Sequence, residues 1–186
     1  NYISNSNTME KNKVSLVIPA AGKGSRFKKA NWKDPKPLID INGKPMISHV
    51  IDDNKLDVDS DIYLAIQKEN SSQFKHISQK YNDIKLVEIN GITQGTACTV
   101  ERVLEKFSSD CQFVVANSDQ LCAKSTSKMV KFAQQHNLDG CITCFIEPSL
   151  DTKWSYVKVN QFNLVEQVAE KKAISDIATV GIYYFK

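Results

Sequence analysis

Val14-Ser15-Leu16-Val17-Ile18-Pro19-Ala20-Ala21-Gly22-Lys23-Gly24-Ser25-Arg26 joins an apolar run to a loop of small residues and cations. Pro35-Lys36-Pro37-Leu38 follows shortly after. A strand that ends in such a loop is suited to holding a polyphosphate. Glycine lets backbone N–H groups approach an anion, and a following helix N-terminus would add partial positive charge. The Gly22-x-Gly24 pair alone is a weak signal. Phe27 stands where a dinucleotide fingerprint needs its third glycine, and the Gly-Lys-Ser/Thr ending of a P-loop is missing. A tight structural turn is the competing reading; Arg26 and Lys36 nearby favour a phosphate cradle.

Working outward, the chain alternates strand and helix patterns. Short runs rich in Val, Ile, Leu and aromatics fall at 14–18, 61–67, 84–89 and 112–116. Helical patterns lie at 45–53, 71–81, 94–107 and 125–136, with Pro45 expected at a first helical position and Ser125 as a cap. This order predicts right-handed βαβ units and an α/β fold with a mainly parallel sheet. Beyond Asp139-Gly140 the runs 141–146, 156–159, 164–170 and 178–185 follow one another without a helix, so antiparallel or mixed pairing is expected there.

The 186 residues suffice for one domain with a sizeable core. Residues 1–13 are polar, without the apolar stretch of a signal peptide, and read as a disordered leader or an expression remnant; the domain proper is 14–186. The β-like run up to Phe185 has no covering element after it, so the natural chain is expected to continue. No 18-residue apolar run is present, which argues against a membrane span.

Five cysteines with irregular spacing point to a reducing, cytoplasmic setting rather than a disulfide framework. Cys141-Ile-Thr-Cys144 has metal or redox spacing, but it lies in a strand-like run and lacks a second pair. A buried structural role is the better reading. The net charge of +3 is too small to indicate nucleic acid. Its distribution is more telling: residues 22–44 hold seven basic side chains against Asp34 and Asp40, a local +5, and the remainder is −2.

In an open parallel sheet, ligands bind beyond the carboxyl ends of the strands. The segments expected there are Ala20–Arg26, Asn90–Thr96 and Asn117–Asp119. Ile18–Phe27, Pro35-Lys36-Pro37-Leu38 and Gly43-Lys44-Pro45-Met46-Ile47 together resemble the signature of the sugar-nucleotide pyrophosphorylases. The resemblance continues in order through Gln94-Gly95-Thr96-Ala97, Ala116-Asn117-Ser118-Asp119, Glu170-Lys171 and Val180–Phe185. It implies a Rossmann-like, GT-A-like three-layer nucleotidyltransferase fold with a mixed, mainly parallel sheet. It also implies transfer of a nucleotidyl group from an NTP to a sugar 1-phosphate with release of pyrophosphate, in the service of polysaccharide or glycoconjugate synthesis.

Residue by residue, the resemblance implies that Ala20, Ala21, Gly22 and Gly24 border the nucleotide, with Arg26 on the triphosphate and Lys36 near the α-phosphorus. Gln94 and Gly95 match base-recognising positions, and Asp119 matches the metal-binding acid, with Mg²⁺ as cofactor. Glu170, Lys171, Val180 and Gly181 match the sugar-phosphate side. Physical chemistry accords with this: joining two anions needs positive charge and positioning, and Mg²⁺ favours one or two carboxylates plus phosphate oxygens.

Blander readings stand beside these. Lys36 reads alternatively as a solvated loop cation, Asp119 as a helix cap and Glu170-Lys171 as a surface pair. Trp154 and Tyr156 suit sugar stacking and packing equally. Nothing after Asp119 matches the second metal ligand that such enzymes supply from a later segment, and Asp176 precedes the last strand. Two other functions fit the motifs: a cytidylyltransferase acting on a non-sugar phosphate, and a non-catalytic nucleotide-binding or regulatory module. The pattern implies no nucleic-acid or membrane partner and specifies no oligomeric state.

Overall fold

Val14 to Ile18 are all buried, which places β1 (Val14–Pro19) at the centre of the sheet with both faces covered. The computed structural model describes residues 13–22, 24, 34–107 and 111–186. β1 pairs in parallel with β4 (Ile62–Gln67) on one side and β6 (Gln112–Ala116) on the other, and β4 pairs in parallel with β5 (Ile84–Ile89). Between β1 and β4 a small hairpin, β2 (Asp40–Ile41) and β3 (Lys44–Pro45), turns at Asn42-Gly43.

Among the described residues the α-helices are α1 (Met46–Asn54), α2 (Ser71–Lys80), α3 (Thr96–Leu104) and α4 (Thr126–Gln135). The chain moves outward from β1 to β4 to β5, then returns across them to β6. Right-handed crossovers therefore put α1 and α2 on one face and α3 on the other. The core follows the period-2 alternation of β1. Leu16 and Ile18 pack in a cluster with Ile47, Val50 and Ile51 of α1, Phe74 and Ile77 of α2, and Met129 and Val130 of α4. Val17 joins Tyr63, Ala65 and Val87 beneath Val100 and Val103 of α3.

The second half is antiparallel, as its unbroken run of strands predicts. β10 (Ile177–Phe185) lies antiparallel beside β6, and also pairs with β7 (Gly140–Ile146) and β8 (Tyr156–Val159). β9 (Val165–Ala169) completes the order β5-β4-β1-β6-β10-β8-β9, with β7 on β10. The three-layer α/β fold with a mixed sheet is thus the one expected. Among the described residues no helix is long and apolar enough to cross a membrane.

Two local expectations are corrected, and the open reading of Tyr156 is decided for packing. Pro45 precedes α1 rather than starting it: its ψ of 138° is extended, and it pairs with Asp40 in β3. The Ser125 hydroxyl does not cap α4; it donates to Cys122 Sγ at 2.9 Å. Tyr156 is fully buried and its hydroxyl donates to the Asp151 carbonyl at 2.8 Å, so it is a core residue without a free face for a sugar. Trp154 packs edge-to-face on Phe145, with 5.1 Å between ring centroids.

β10 breaks register with β7 between Thr179 and Tyr183. Gly181 sits in this irregularity at φ +85°, and a Cβ there would overlap the Asn117 side-chain amide and approach Gln120 Oε1 to 2.5 Å. The left-handed backbone and the overlap both demand glycine. Gly181→Ala is expected to lower stability by about 1–3 kcal/mol. Urea unfolding measures this, and an unchanged midpoint would contradict the packing described.

Candidate active site

The strand order reverses at β1 and β6, and in an open α/β sheet the crevice at the carboxyl ends of such strands is the usual ligand position. On the β1 side, the Ala20 N–H donates to the Ala65 carbonyl at 2.8 Å, extending the ladder beyond the strand. Ala20 and Ala21 are buried, and the Gln67 side-chain amide donates to the Ala21 carbonyl. The loop thus leaves the sheet from a fixed point. Gly22 is exposed, with nothing within 4 Å of where a Cβ would stand. Gly24 has φ +56°, and a Cβ there would lie 3.6 Å from Lys36 Cβ, so the loop runs against the Lys36 segment. Arg26 lies outside the described residues.

Lys36 opens a 3₁₀ turn, Lys36–Leu38, held between Pro35 and Pro37. The Leu38 N–H donates to the Pro35 carbonyl at 2.8 Å and the Ile39 N–H to the Lys36 carbonyl at 3.2 Å. Pro37 is buried and Leu38 packs on the core, so the backbone that carries Lys36 is rigid. Its Nζ forms an ion pair with Asp119 Oδ2, although 83 residues separate the two in sequence. The side chains are 29% and 38% exposed. An ion pair this accessible contributes at most about 1 kcal/mol to stability. Its position at the crevice is the more informative property. Lys44, the other described cation of the basic segment, is paired with Asp52 instead; the hydrogen bond to that carboxylate raises its pKa.

Asp119 follows β6 in a turn braced from two directions. The Asn117 N–H donates to the Gly181 carbonyl at 3.0 Å, and the Asn117 amide donates to Gln120 Oε1 at 2.9 Å. Gly181 therefore meets this turn through its backbone, and its own Cα side is filled by Asn117. One carboxylate at the mouth of an anion site suits Mg²⁺, which keeps waters and takes substrate phosphate oxygens. Among the described residues no group of three or more His, Cys, Asp or Glu forms a protein-only metal cage. Asp176 precedes β10, and its backbone carbonyl accepts from the Glu147 N–H at 2.7 Å.

Gln94 is exposed on the loop that follows β5, two strands away from β1 on the same edge. Gly95 caps α3: its carbonyl accepts from the Thr99 N–H at 3.2 Å and from the Thr93 and Thr99 hydroxyls at 3.3 Å each. The loop is thereby fixed and Gln94 presented outward. Glu170 and Lys171 occupy an exposed turn after β9 and pair with each other at 3.4 Å. Ala169, Tyr156 and Ala178 lie in one cross-strand row. That row is four residues, about 13 Å, beyond the Ile182–Ala116 pair. Glu170 and Lys171 thus overhang the carboxyl edge, across the sheet from the Lys36–Asp119 pair rather than within it. Val180 lies between that row and Gly181 on β10.

The cysteines play no visible part. All five are free, and burial first, then the neighbouring Cys141, pushes the Cys144 thiol up to about 11. A thiol held up by burial in this way is a poor nucleophile, which accords with a structural role. Sequence reasoning passed over Gln67, Thr93, Thr99 and Gln120. Gln67 had one available signal, since it ends the apolar run 61–67 at the ligand-bearing edge.

Residues 15–186 match the family model described as nucleotidyl transferase. A mannose-1-phosphate guanyltransferase of Aspergillus oryzae is 29% identical over 183 residues, covering 91% of this chain and 49% of its own length. The chain thus spans about half the length of the curated relatives it matches. A UDP-glucose pyrophosphorylase solved with UDP-glucose superposes with a TM-score of 0.77 at 18% identity, covering 94% of this chain and 76% of the other, a likeness of fold alone. A nucleoside-diphosphate-sugar pyrophosphorylase of Vibrio cholerae gives 0.73 at 26% identity, covering 92% and 72%. The fold, the ordered motifs and the family match agree: the chain belongs to the nucleotidyl transferase family, which includes the sugar-nucleotide pyrophosphorylases its motifs resemble.

Proposed function

We propose that this protein is a Mg²⁺-dependent nucleotidyltransferase that joins an NTP to a sugar 1-phosphate and releases pyrophosphate. The observation that carries this reading is the meeting of Lys36 and Asp119 at the β1–β6 crevice, with Gly24 against the lysine. The identity of the relatives as a guanyltransferase and pyrophosphorylases supports the same chemistry.

In this reading an oxygen of the acceptor phosphate attacks the α-phosphorus of the NTP. A new P–O bond forms, and the bond from the α-phosphorus to its bridging oxygen breaks. Pyrophosphate departs with the electron pair. The attacking phosphate is already ionised at neutral pH, so no general base is needed. The loop 20–24 borders the nucleotide through its backbone, and Arg26 adds charge on the triphosphate. Lys36 faces the α-phosphate and stabilises the charge that develops in the transition state. Asp119 holds the metal, which when bound neutralises phosphate oxygens and draws the reactants together. Gln94 and Gly95 meet the base, while Glu170, Lys171, Val180 and Gly181 serve the sugar phosphate.

The Lys36–Asp119 contact bears on the order of events. Each group compensates the other before substrates arrive; a triphosphate would offer Lys36 an opposite charge, and Asp119 would then be free to hold a cation. The pair then separates with little electrostatic loss.

Lys36→Ala and Asp119→Ala should each lower turnover by roughly two to three orders of magnitude, the effect of about 2.7–4 kcal/mol of lost transition-state stabilisation. Their melting temperatures should stay within a few degrees of wild type, because an accessible ion pair holds little stability. Pyrophosphate release with a panel of NTPs, sugar 1-phosphates and polyol phosphates checks this in the full-length protein. Near-normal rates in either variant would refute the roles given, and no release with any pair would refute catalysis. A thermal-shift series with the four NTPs and Mg²⁺ should show one nucleotide raising the melting temperature most, since a ligand stabilises the state that binds it. Equal absence of shift for all four would count against a nucleotide site.

A further inference from the structure

Asp53 lies in the last turn of α1, where the helix carries its partial negative charge and no basic residue offsets it. A carboxylate there works against the helix, so its place has another explanation. Its Oδ2 accepts the Cys122 N–H and its Oδ1 accepts the Lys124 N–H at 3.2 Å. Hydrogen bonds of this kind, with a charged acceptor, are the stronger sort. The segment they hold is unusual in itself: Ala123 and Lys124 are consecutive left-handed residues, φ +48° and +56°. Non-glycine residues keep that conformation only where their surroundings impose it.

We infer that Asp53 is a positioning residue for Asp119, fixing the acid-bearing turn through two backbone N–H groups; this rests on the nucleotidyl-transfer reading above. The turn from Asn117 to Lys124 is then anchored at both ends, upstream by the Asn117–Gln120 bond against Gly181 and downstream by Asp53. α1 also governs the other member of the ion pair. At its start, the Met46 N–H donates to the Ile39 carbonyl at 2.9 Å, and the Ile39 N–H in turn donates to the Lys36 carbonyl. One nine-residue helix, about 13 Å long, thus links the backbone that carries Lys36 to the backbone that carries Asp119. Asn54 reinforces the same end through the buried Thr126 hydroxyl, at 2.7 Å.

The test compares Asp53→Ala, Asp53→Asn and Asn54→Ala in the full-length protein. Without nucleotide, amide hydrogen exchange of 117–124 should rise about tenfold or more in Asp53→Ala, with the β1 and β4 peptides unchanged. Half-activating Mg²⁺ should rise about tenfold and kcat fall about tenfold, while KM for the NTP moves less than twofold. The two N–H groups are accepted by different oxygens, so an amide retains one acceptor, and Asp53→Asn should fall between wild type and alanine. Asn54→Ala should lose stability but keep the wild-type Mg²⁺ requirement. Unchanged exchange and Mg²⁺ dependence in the Asp53 variants would overturn the inference. So would the same Mg²⁺ shift in Asn54→Ala. If Asp53→Ala does not fold, Asp53→Asn decides by the same measurements. If wild type releases no pyrophosphate, the transfer reading fails by itself, and the exchange comparison still decides whether Asp53 holds the turn.

Discussion

A right-handed crossover from β5 back across β4 and β1 to β6 forces α3 onto the face opposite α1 and α2. The connections that leave these neighbouring strand ends lead to opposite sides of the sheet order, β1 towards β4 and β6 towards β10. The crevice at β1 and β6 is the result, and the site depends on it. Residue 24 and residue 119 come from opposite halves of the chain, yet the parallel pairing of Val14–Val17 with Gln112–Val115 sets their strand ends side by side. Gly24 and Asp119 are thereby brought to the same lysine, Lys36.

Electrostatics follow from that placement. Residues 22–44 hold the chain's excess positive charge, but the described cations are not equivalent. Lys44 is committed to Asp52 on α1 and so secures the β2–β3 hairpin. Lys36 meets the acid that would carry the metal. Two prolines flank it and Leu38 anchors its turn, which would limit the entropy lost on engaging a phosphate in the proposed role. Rigid presentation of a cation is what distinguishes it from the solvated lysines of the surface.

Much of this was legible beforehand. The runs 84–89, 112–116 and 156–159 coincide with β5, β6 and β8, because their shortness and their β-branched and aromatic content favour strand over helix. Lys36 and Asp119 were readable as separate motifs, one from its prolines and one from its place after a strand. Their contact was not, since it depends on strand order rather than on local pattern. Tyr156 shows the converse limit. An aromatic near a presumed sugar pocket looks the same in sequence whether it faces solvent or core, and here β8 turns it fully inward. Pro45 falls one residue before its expected place because it pairs with Asp40 in extended form, whereas Ser125 does stand at the N-cap position but turns its hydroxyl to the Cys122 sulfur.

Backbone-directed contacts were the least legible class, and they carry the geometry of the site. Gln67 acts on the carbonyl of Ala21, Asp53 on the N–H groups of Cys122 and Lys124, and Thr99 on the carbonyl of Gly95. None of these side chains belongs to a motif, because a backbone partner leaves no residue type to recognise. Each sits at the end of an element bordering a motif loop: Gln67 closes β4, Asp53 lies in the last turn of α1, and Thr99 lies in the first turn of α3. Polar residues at such ends are exposed to the cost of an unpaired or mismatched charge. Their presence there is physically explained once a neighbouring loop supplies the partner. Ala21, Gly95 and Asp119 therefore stand on loops, while the side chains that hold those loops stand on the rigid elements beside them.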